Sequence, residues 1–158
     1  MALISAGILV FKRTGSEIEF LLVHPGGPFF MKKENGYWTI PKGLVVGEEK
    51  LIEAAKREFA EETGIELKAG IQEFITLGNV VQKGGKIVHG FALEMALDVT
   101  QIKSNVFELE WPPRSGVKKE FPEVDRADWF TLRAAKLKIN LAQYSFLERL
   151  MKLLEGHA

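Results

Sequence analysis

Apolar residues change their spacing several times along the chain, and each change marks an element. Residues 3–12 and 17–24 are apolar runs joined by the polar, glycine-bearing stretch Arg13-Thr14-Gly15-Ser16, which predicts a β-hairpin. Residues 25–36 open with the breaker Pro25-Gly26-Gly27-Pro28 and read as a loop. Residues 37–40 predict a short strand that Pro41-Lys42-Gly43 leaves. From residue 47 to 63 the period becomes helical: Ile52, Ala55 and Phe59 form one apolar stripe. Gly64 then stands where helices commonly stop. Residues 67–82 and 86–99 predict strands around Lys83-Gly84-Gly85. Residues 107–111 predict a further short strand, 112–125 a polar loop and 127–130 a closing strand. Residues 131–137 and 141–154 predict helices. With no internal repeat or linker, the pattern predicts one α+β domain over 1–158, a mixed sheet between helices.

Composition narrows the function classes. At 158 residues the chain fits one domain and can hide roughly 68–70% of its unfolded surface without covalent staples. Lys plus Arg and Asp plus Glu stand at 21 each, so no basic footprint points to nucleic acid or a membrane. The absence of cysteine excludes disulfides, thiolate metal sites and cysteine nucleophiles. The opening Met1–Phe11 lacks the basic start of a signal peptide and falls short of the ~20 apolar residues of a membrane span. A cytoplasmic protein is the expectation.

The chemistry concentrates in Gly43-Leu-Val-Val-Gly-Glu-Glu-Lys-Leu-Ile-Glu-Ala-Ala-Lys-Arg-Glu-Phe-Ala-Glu-Glu-Thr-Gly-Ile65. On a helix Glu58 shares a face with Glu61 and Glu62, and like charges at that spacing cost roughly 0.2–0.5 kcal/mol per pair. A bound hard cation offsets that cost, and an oxygen-only carboxylate set suits Mg²⁺ or Mn²⁺. The alternative is a solvated acidic face with no ligand.

The same segment resembles the Nudix box in full: Gly43, Glu49, Arg57, Glu58, Phe59, Glu61, Glu62, Gly64 and Ile65 match its nine specified positions over 23 residues. One detail departs from many members. Gly47 comes one residue early and is followed by both Glu48 and Glu49; counting favours Glu49, while a tighter loop would put Glu48 in its place. The resemblance implies a Nudix fold and hydrolysis of a phosphoanhydride in a nucleoside diphosphate linked to another group. It also implies metal ligation by Glu58 and Glu62, with Glu61 as a ligand or water-mediated partner and the main-chain carbonyl of Lys42 as a further ligand. Arg57 is expected to orient a box carboxylate, with Glu49 its partner. Gly43 and Gly64 are expected to permit tight backbone turns.

Outside the helix, Phe121-Pro-Glu-Val-Asp-Arg-Ala-Asp-Trp-Phe130 resembles a stretch of RNA 5′-pyrophosphohydrolases and dinucleoside polyphosphate hydrolases. That makes Glu123 the candidate distal ligand or general base, with Glu120 behind it. Trp38-Thr-Ile-Pro-Lys-Gly43 is similar to the lead-in of dinucleoside polyphosphate hydrolases, where Lys42 could meet a phosphate as a point charge. The run 107–126 is similar to a bacterial group described as predicted nucleoside triphosphate pyrophosphohydrolases. Its Arg114, Lys118 and Lys119 could reach distal phosphates or remain solvated. Tyr37, Phe29, Phe30 or Trp111 could stack on a base. Lys83-Gly84-Gly85-Lys86 is not a phosphate loop, because no helix follows it. His24, His89 and His157 form no readable metal set. The expected substrate is a small nucleotide, a dinucleoside polyphosphate or a nucleoside triphosphate. RNA 5′ ends are the alternative, disfavoured by the neutral charge, and a non-catalytic nucleotide sensor is the alternative of another class.

Overall fold

Residues 5–10 of β1 (Ile4–Thr14) are fully buried in an unbroken run, which a strand sustains where both faces of its sheet are covered. The computed structural model describes residues 3–156 and shows both covers; His157 lies outside the described residues. Alternate side chains of β1 enter opposite cores. Leu9 and Phe11 join Phe20, Leu22, Trp38 and Phe146 on one side; Ala6, Ile8 and Val10 join Ala54, Ala55 and Phe59 on the other. Helices α2 (Leu132–Lys138) and α3 (Tyr144–Glu155) close the first core, and α1 (Leu51–Thr63) closes the second.

Along one edge β1 runs parallel to β5 (Ile87–Glu94), registered from Ile4↔Ile87 to Phe11↔Glu94. Its other edge is shared by two antiparallel strands. Ser5 to Gly7 pair with β3 (Lys42–Leu44), and Phe11 to Thr14 pair with β2 (Glu17–Pro25). β4 (Ile75–Val81) extends the sheet beyond β5, and β8 (Val124–Thr131) extends it beyond β2, giving the order β4-β5-β1-β2-β8 with β3 beside β1. The expected α+β architecture, a mixed sheet between helices, is therefore present. β6 (Val106–Glu110) and β7 (Lys118–Pro122) form a separate two-stranded hairpin.

Four expectations are corrected. Residues 37–40 make only the isolated bridges Val23↔Thr39 and Trp38↔Ile139. Side chains fasten the segment instead: the Trp38 ring stands edge-on to Phe130 at 4.9 Å, and the Ile40 amide donates to Gln143 Oε1 at 3.0 Å. The helix expected from residue 47 begins at Leu51, because Gly47 has φ 56° and Glu49 turns back to accept the Val46 amide at 2.8 Å. Residues 67–74 hold a 3-10 turn, Ile71–Glu73, rather than strand; Leu67 is buried but the following side chains do not alternate. The expected loop 112–125 contains β7, an exposed strand whose polar sequence carries no period-two signal.

No side chain caps the N-terminus of α1, where Lys50 stands, while Gly64 ends it in the left-handed region at φ 76° with its amide on the Ala60 carbonyl. Tertiary docking of Ala54, Ala55 and Phe59 therefore holds the helix. Phe59→Ala is expected to destabilise the fold by about 3–5 kcal/mol, read from urea unfolding; a loss under 1 kcal/mol would show that docking of this face does not hold α1.

Candidate active site

Docking turns the other face of α1 toward β3, and Arg57 organises what meets there. Its guanidinium grips Glu49 with both oxygens: Nε donates to Oε2 at 2.8 Å and Nη2 to Oε1 at 2.9 Å. Nη2 also donates to the Leu44 carbonyl at 2.9 Å, and Nη1 donates to Glu58 Oε1 at 2.7 Å and Glu61 Oε2 at 3.3 Å. A planar fork with five donors is what such a node needs, and lysine could not replace it. Glu49, not Glu48, is thus the first box glutamate in space. Pairing with Arg57 lowers the Glu49 carboxyl to about 2, and its carboxylate neighbours raise the Arg57 pKa further.

Glu58 and Glu62 reach the backbone of β3. The Lys42 amide donates to Glu62 Oε1 at 3.1 Å. At Gly43 a Cβ would lie 2.0 Å from Glu58 Oε2. The expected turn at Gly43 is corrected: the residue sits within β3, and glycine is required because a carboxylate occupies the space of its side chain. Gly64 does serve the expected turn.

Glu123 joins the cluster from another part of the chain. It lies between β7 and β8. Its amide donates to the Asn105 carbonyl at 2.9 Å, and the Asn105 amide donates to the Glu61 carbonyl at 2.8 Å, so one residue ties this junction to α1. Burial raises the Glu123 pKa first, and the negative charges of Glu58 and Glu61 raise it further. Glu120 lies in β7, opposite Glu108. Burial also raises Glu58, against the pull of Arg57 and with the push of Glu61. Glu62 rises to about 8, mainly through burial, with Lys42 opposing and Glu58 and Glu123 adding to the rise.

Among the described residues, no three acidic or imidazole side chains close tightly enough on one point to hold a metal as they stand. Glu62 faces the Lys42 amide and Glu58 faces Arg57. The donor set nonetheless fits a hard divalent cation. Burial and then acidic neighbours raise the pKa values of Glu58, Glu62 and Glu123, and a cation would relieve that repulsion with oxygen ligands only.

The Lys42 side chain points away from α1 into a cleft of about 620 Å³, with Phe30, Tyr37, Lys83 and Leu141 on its wall. Lys42 falls to about 8, chiefly through burial and then through the positive charge of Lys86. Lys86 was missed in the sequence, where the turn 83–86 was set aside as no phosphate loop; its signal was a lysine two residues before an alternating strand. Tyr37 and Phe30 are brought to the cleft, their rings 6.3 Å apart. Phe29 and Trp111 pack on each other at 5.4 Å. Arg114 is exposed at the tip of the β6–β7 hairpin with φ 64° and does not line the cleft; Lys118 and Lys119 are exposed in β7. His24 is buried, its ring nitrogens on Asp125 Oδ1 at 2.7 Å and the Lys33 carbonyl at 2.6 Å, a structural anchor.

Two outcomes follow. A carboxyl with a raised folded pKa contributes stability that is complete below its unfolded pKa and is lost as pH rises through the folded one. Glu62, with its unfolded value of 4.5 and folded value of about 8, therefore makes the metal-free protein less stable as pH climbs from 4.5 to 8. Melts in metal-free buffer should show that decline, and Glu62→Gln should flatten it; an unchanged slope in the variant would refute the assignment. Gly43→Ala should displace Glu58 and lower kcat by about 10²-fold, since an ångström of misplacement is worth that much. The melting temperature should hardly move, because the clash is with a flexible side-chain end.

The NUDIX domain model matches residues 1–150. The fold recurs in solved structures. An Ap4A hydrolase binary complex from C. elegans is 22% identical at TM-score 0.64, over 96% of this chain and 98% of that one. A MutT protein from Methanosarcina mazei Go1 is 22% identical at TM-score 0.64, over 98% and 96%. The NUDIX domain of Shewanella oneidensis NrtR, complexed with ADP ribose, is 15% identical at TM-score 0.66, over 98% and 89%. No curated protein sequence matches the chain significantly. On the family match, which spans nearly its whole length, the chain belongs to the Nudix hydrolase family.

Proposed function

We propose that the chain is a Mg²⁺- or Mn²⁺-dependent pyrophosphohydrolase that cleaves a phosphoanhydride bond in a nucleoside diphosphate linked to another group, with a dinucleoside polyphosphate or nucleoside triphosphate as substrate. The observation that carries this reading is the meeting of Glu58, Glu61, Glu62 and Glu123 at β3, beside a cleft that holds a lysine and two aromatic rings.

Glu58 and Glu62 are the principal metal ligands in this reading, with Glu61 and the Lys42 carbonyl beside them. A divalent cation, when bound, supplies neutralisation of phosphoryl oxygens and a lowered pKa for water. Arg57, itself anchored by Glu49, holds Glu58 and Glu61 in place directly and does not touch substrate. Glu123 enters from outside the helix and accepts the proton of the attacking water. Its raised pKa suits that role, because a base works best when its pKa lies near the operating pH. Lys42 neutralises phosphate charge, and Tyr37 and Phe30 offer faces to a base. The NrtR domain complexed with ADP ribose shows that a related fold is compatible with a nucleotide diphosphate ligand. The complete acidic set here favours turnover over binding alone.

A panel of dinucleoside polyphosphates, nucleoside triphosphates, ADP ribose and 5′-triphosphorylated RNA, assayed with and without Mg²⁺, tests the reading. Turnover is expected only with the metal, on the small polyphosphates. Glu58→Gln and Glu62→Gln should each remove most of it with the fold intact by thermal melt, and Glu123→Gln should slow kcat by about 10²–10⁴-fold. Near-normal rates in both helix variants would defeat the assignment, and product analysis in ¹⁸O water locates the attacked phosphorus.

A further inference from the structure

No residue from Phe29 to Tyr37 is buried, yet this stretch carries Phe30 and Tyr37, the two rings on the wall of the cleft. A segment with so little burial is held only by its polar ties. The two rings are tied differently. Tyr37 lies between amides bonded to the end of α2. Gly36 donates to the Leu137 and Lys138 carbonyls at 3.1 and 3.0 Å, and Trp38 donates to the Lys138 carbonyl at 3.0 Å. Phe30 has turns instead. Its amide reaches the Gly27 carbonyl at 3.4 Å, and its carbonyl accepts from the Lys33 amide at 2.9 Å. The Tyr37 amide donates to the Glu34 carbonyl at 3.1 Å, so the path from one ring to the other passes through Lys33 and Glu34.

Side chains from elsewhere in the fold hold these two residues. The buried His24 donates from Nε2 to the Lys33 carbonyl at 2.6 Å, and its Nδ1 meets Asp125 Oδ1 at 2.7 Å. The Glu34 carboxylate accepts from three donors on three elements: Arg126 Nη2 of β8, Lys138 Nζ at the end of α2 at 3.1 Å, and Trp38 Nε1 at 3.2 Å. Trp38 is buried, with the Arg126 guanidinium 5.1 Å from its ring centre, so the carboxylate is drawn onto a fixed platform. Ion pairs as exposed as these contribute little to stability. What the clamp does settle is where the loop lies. Glu34 itself faces a separate hollow with Arg126, Asp128 and Phe130, away from the cleft.

We propose that Glu34 is a positioning residue for the aromatic wall: it holds Phe30 beside Tyr37, ring centres 6.3 Å apart, and so sets how tightly the cleft takes the base of a nucleotide that it never touches. A ring already in place binds without a further ordering cost. This deepens the proposed function and rests on its assignment of the cleft to a base.

Calorimetric titration of the metal-free full chain with the four common nucleoside triphosphates and with inorganic tripolyphosphate tests the clamp. The wild type should bind its best nucleoside triphosphate more tightly than tripolyphosphate. Glu34→Gln should weaken that triphosphate by about tenfold, within the worth of one base stacked on one ring, and leave tripolyphosphate unchanged. In a Phe30→Ala chain the same substitution should have no further effect, since the ring through which it acts is gone. Lys138→Met removes one donor of three and keeps the Lys138 carbonyl; it should show a smaller loss of the same kind, and it carries the test if Glu34→Gln does not fold. A loss shared equally by tripolyphosphate, a loss that persists without Phe30, or a wild type with no preference for any nucleoside triphosphate overturns the assignment. The Mg²⁺-dependent panel separates the two failures. Turnover with a preference that ignores Glu34 loses the clamp alone, whereas a preference that depends on Glu34 and Phe30 without turnover keeps the clamp and loses the hydrolytic reading.

Discussion

Where α1 meets β3, the carboxylate of Glu58 takes the space that a side chain at position 43 would fill, because Gly43 carries none. That close approach depends on the core beneath it. Ala54, Ala55 and Phe59 seat the helix on β1 with small and planar groups, and no cap bond fixes its start. The next residue along β3 completes the arrangement, as the Lys42 amide takes the oxygen of Glu62. Helix and strand are thereby fixed in register by the carboxylates of the candidate site, so the site is part of the packing rather than an addition to it.

Collecting Glu58, Glu61, Glu62 and Glu123 in a half-buried place works against folding, and the structure shows how the strain is contained. Arg57 is the cation that the helix turns to the cluster, and it is divided among Glu49, Glu58 and Glu61. Glu49 draws the guanidinium toward the start of the helix, and on the far side of the cluster Glu62 has the Lys42 amide and charge instead. Glu62 and Glu123 receive nothing from Arg57, and both are raised by burial.

The hairpin, the central helix stripe and the C-terminal helices were legible in the sequence because each carries a clean period. So were the helix glutamates, since Glu58 shares one helix face with Glu61 and Glu62; the pairing of Arg57 with Glu49, which precedes the helix, came from the resemblance. β7 was not legible, since its side chains are exposed on both faces and no apolar alternation survives. Residues 67–74 misled because Ile65, Leu67 and Ile71 supply apolar character without the strand period. The place of Glu123 beside the helix came from resemblance alone; the geometric cause, the Asn105 backbone bonded to both Glu61 and Glu123, joins residues with no local pattern. Lys86 escaped for a similar reason: its nearness to Lys42 follows from β3 and β5 flanking the same strand, a relation that exists only once the sheet is assembled.

Successive residues of a strand face opposite sides, and in β3 that rule separates two tasks. Gly43 faces α1 and yields its space to the carboxylates, while Lys42 faces the cleft and carries its charge there. β3 is only Lys42–Leu44 long and pairs with β1 alone, so its outer edge is not closed by another strand. A polyphosphate passing over that edge would meet oxygen ligands on one side and ammonium donors on the other. Chemistry and recognition are then set by neighbouring residues through separate surroundings. The α1 side is dictated by the box and admits little change, whereas the cleft side takes Tyr37 and Lys83 from loops and turns, where substitution leaves the helix and its glutamates undisturbed. In the proposed reading, substrate choice is accordingly a property of the cleft, and the helix that defines the family is silent about it.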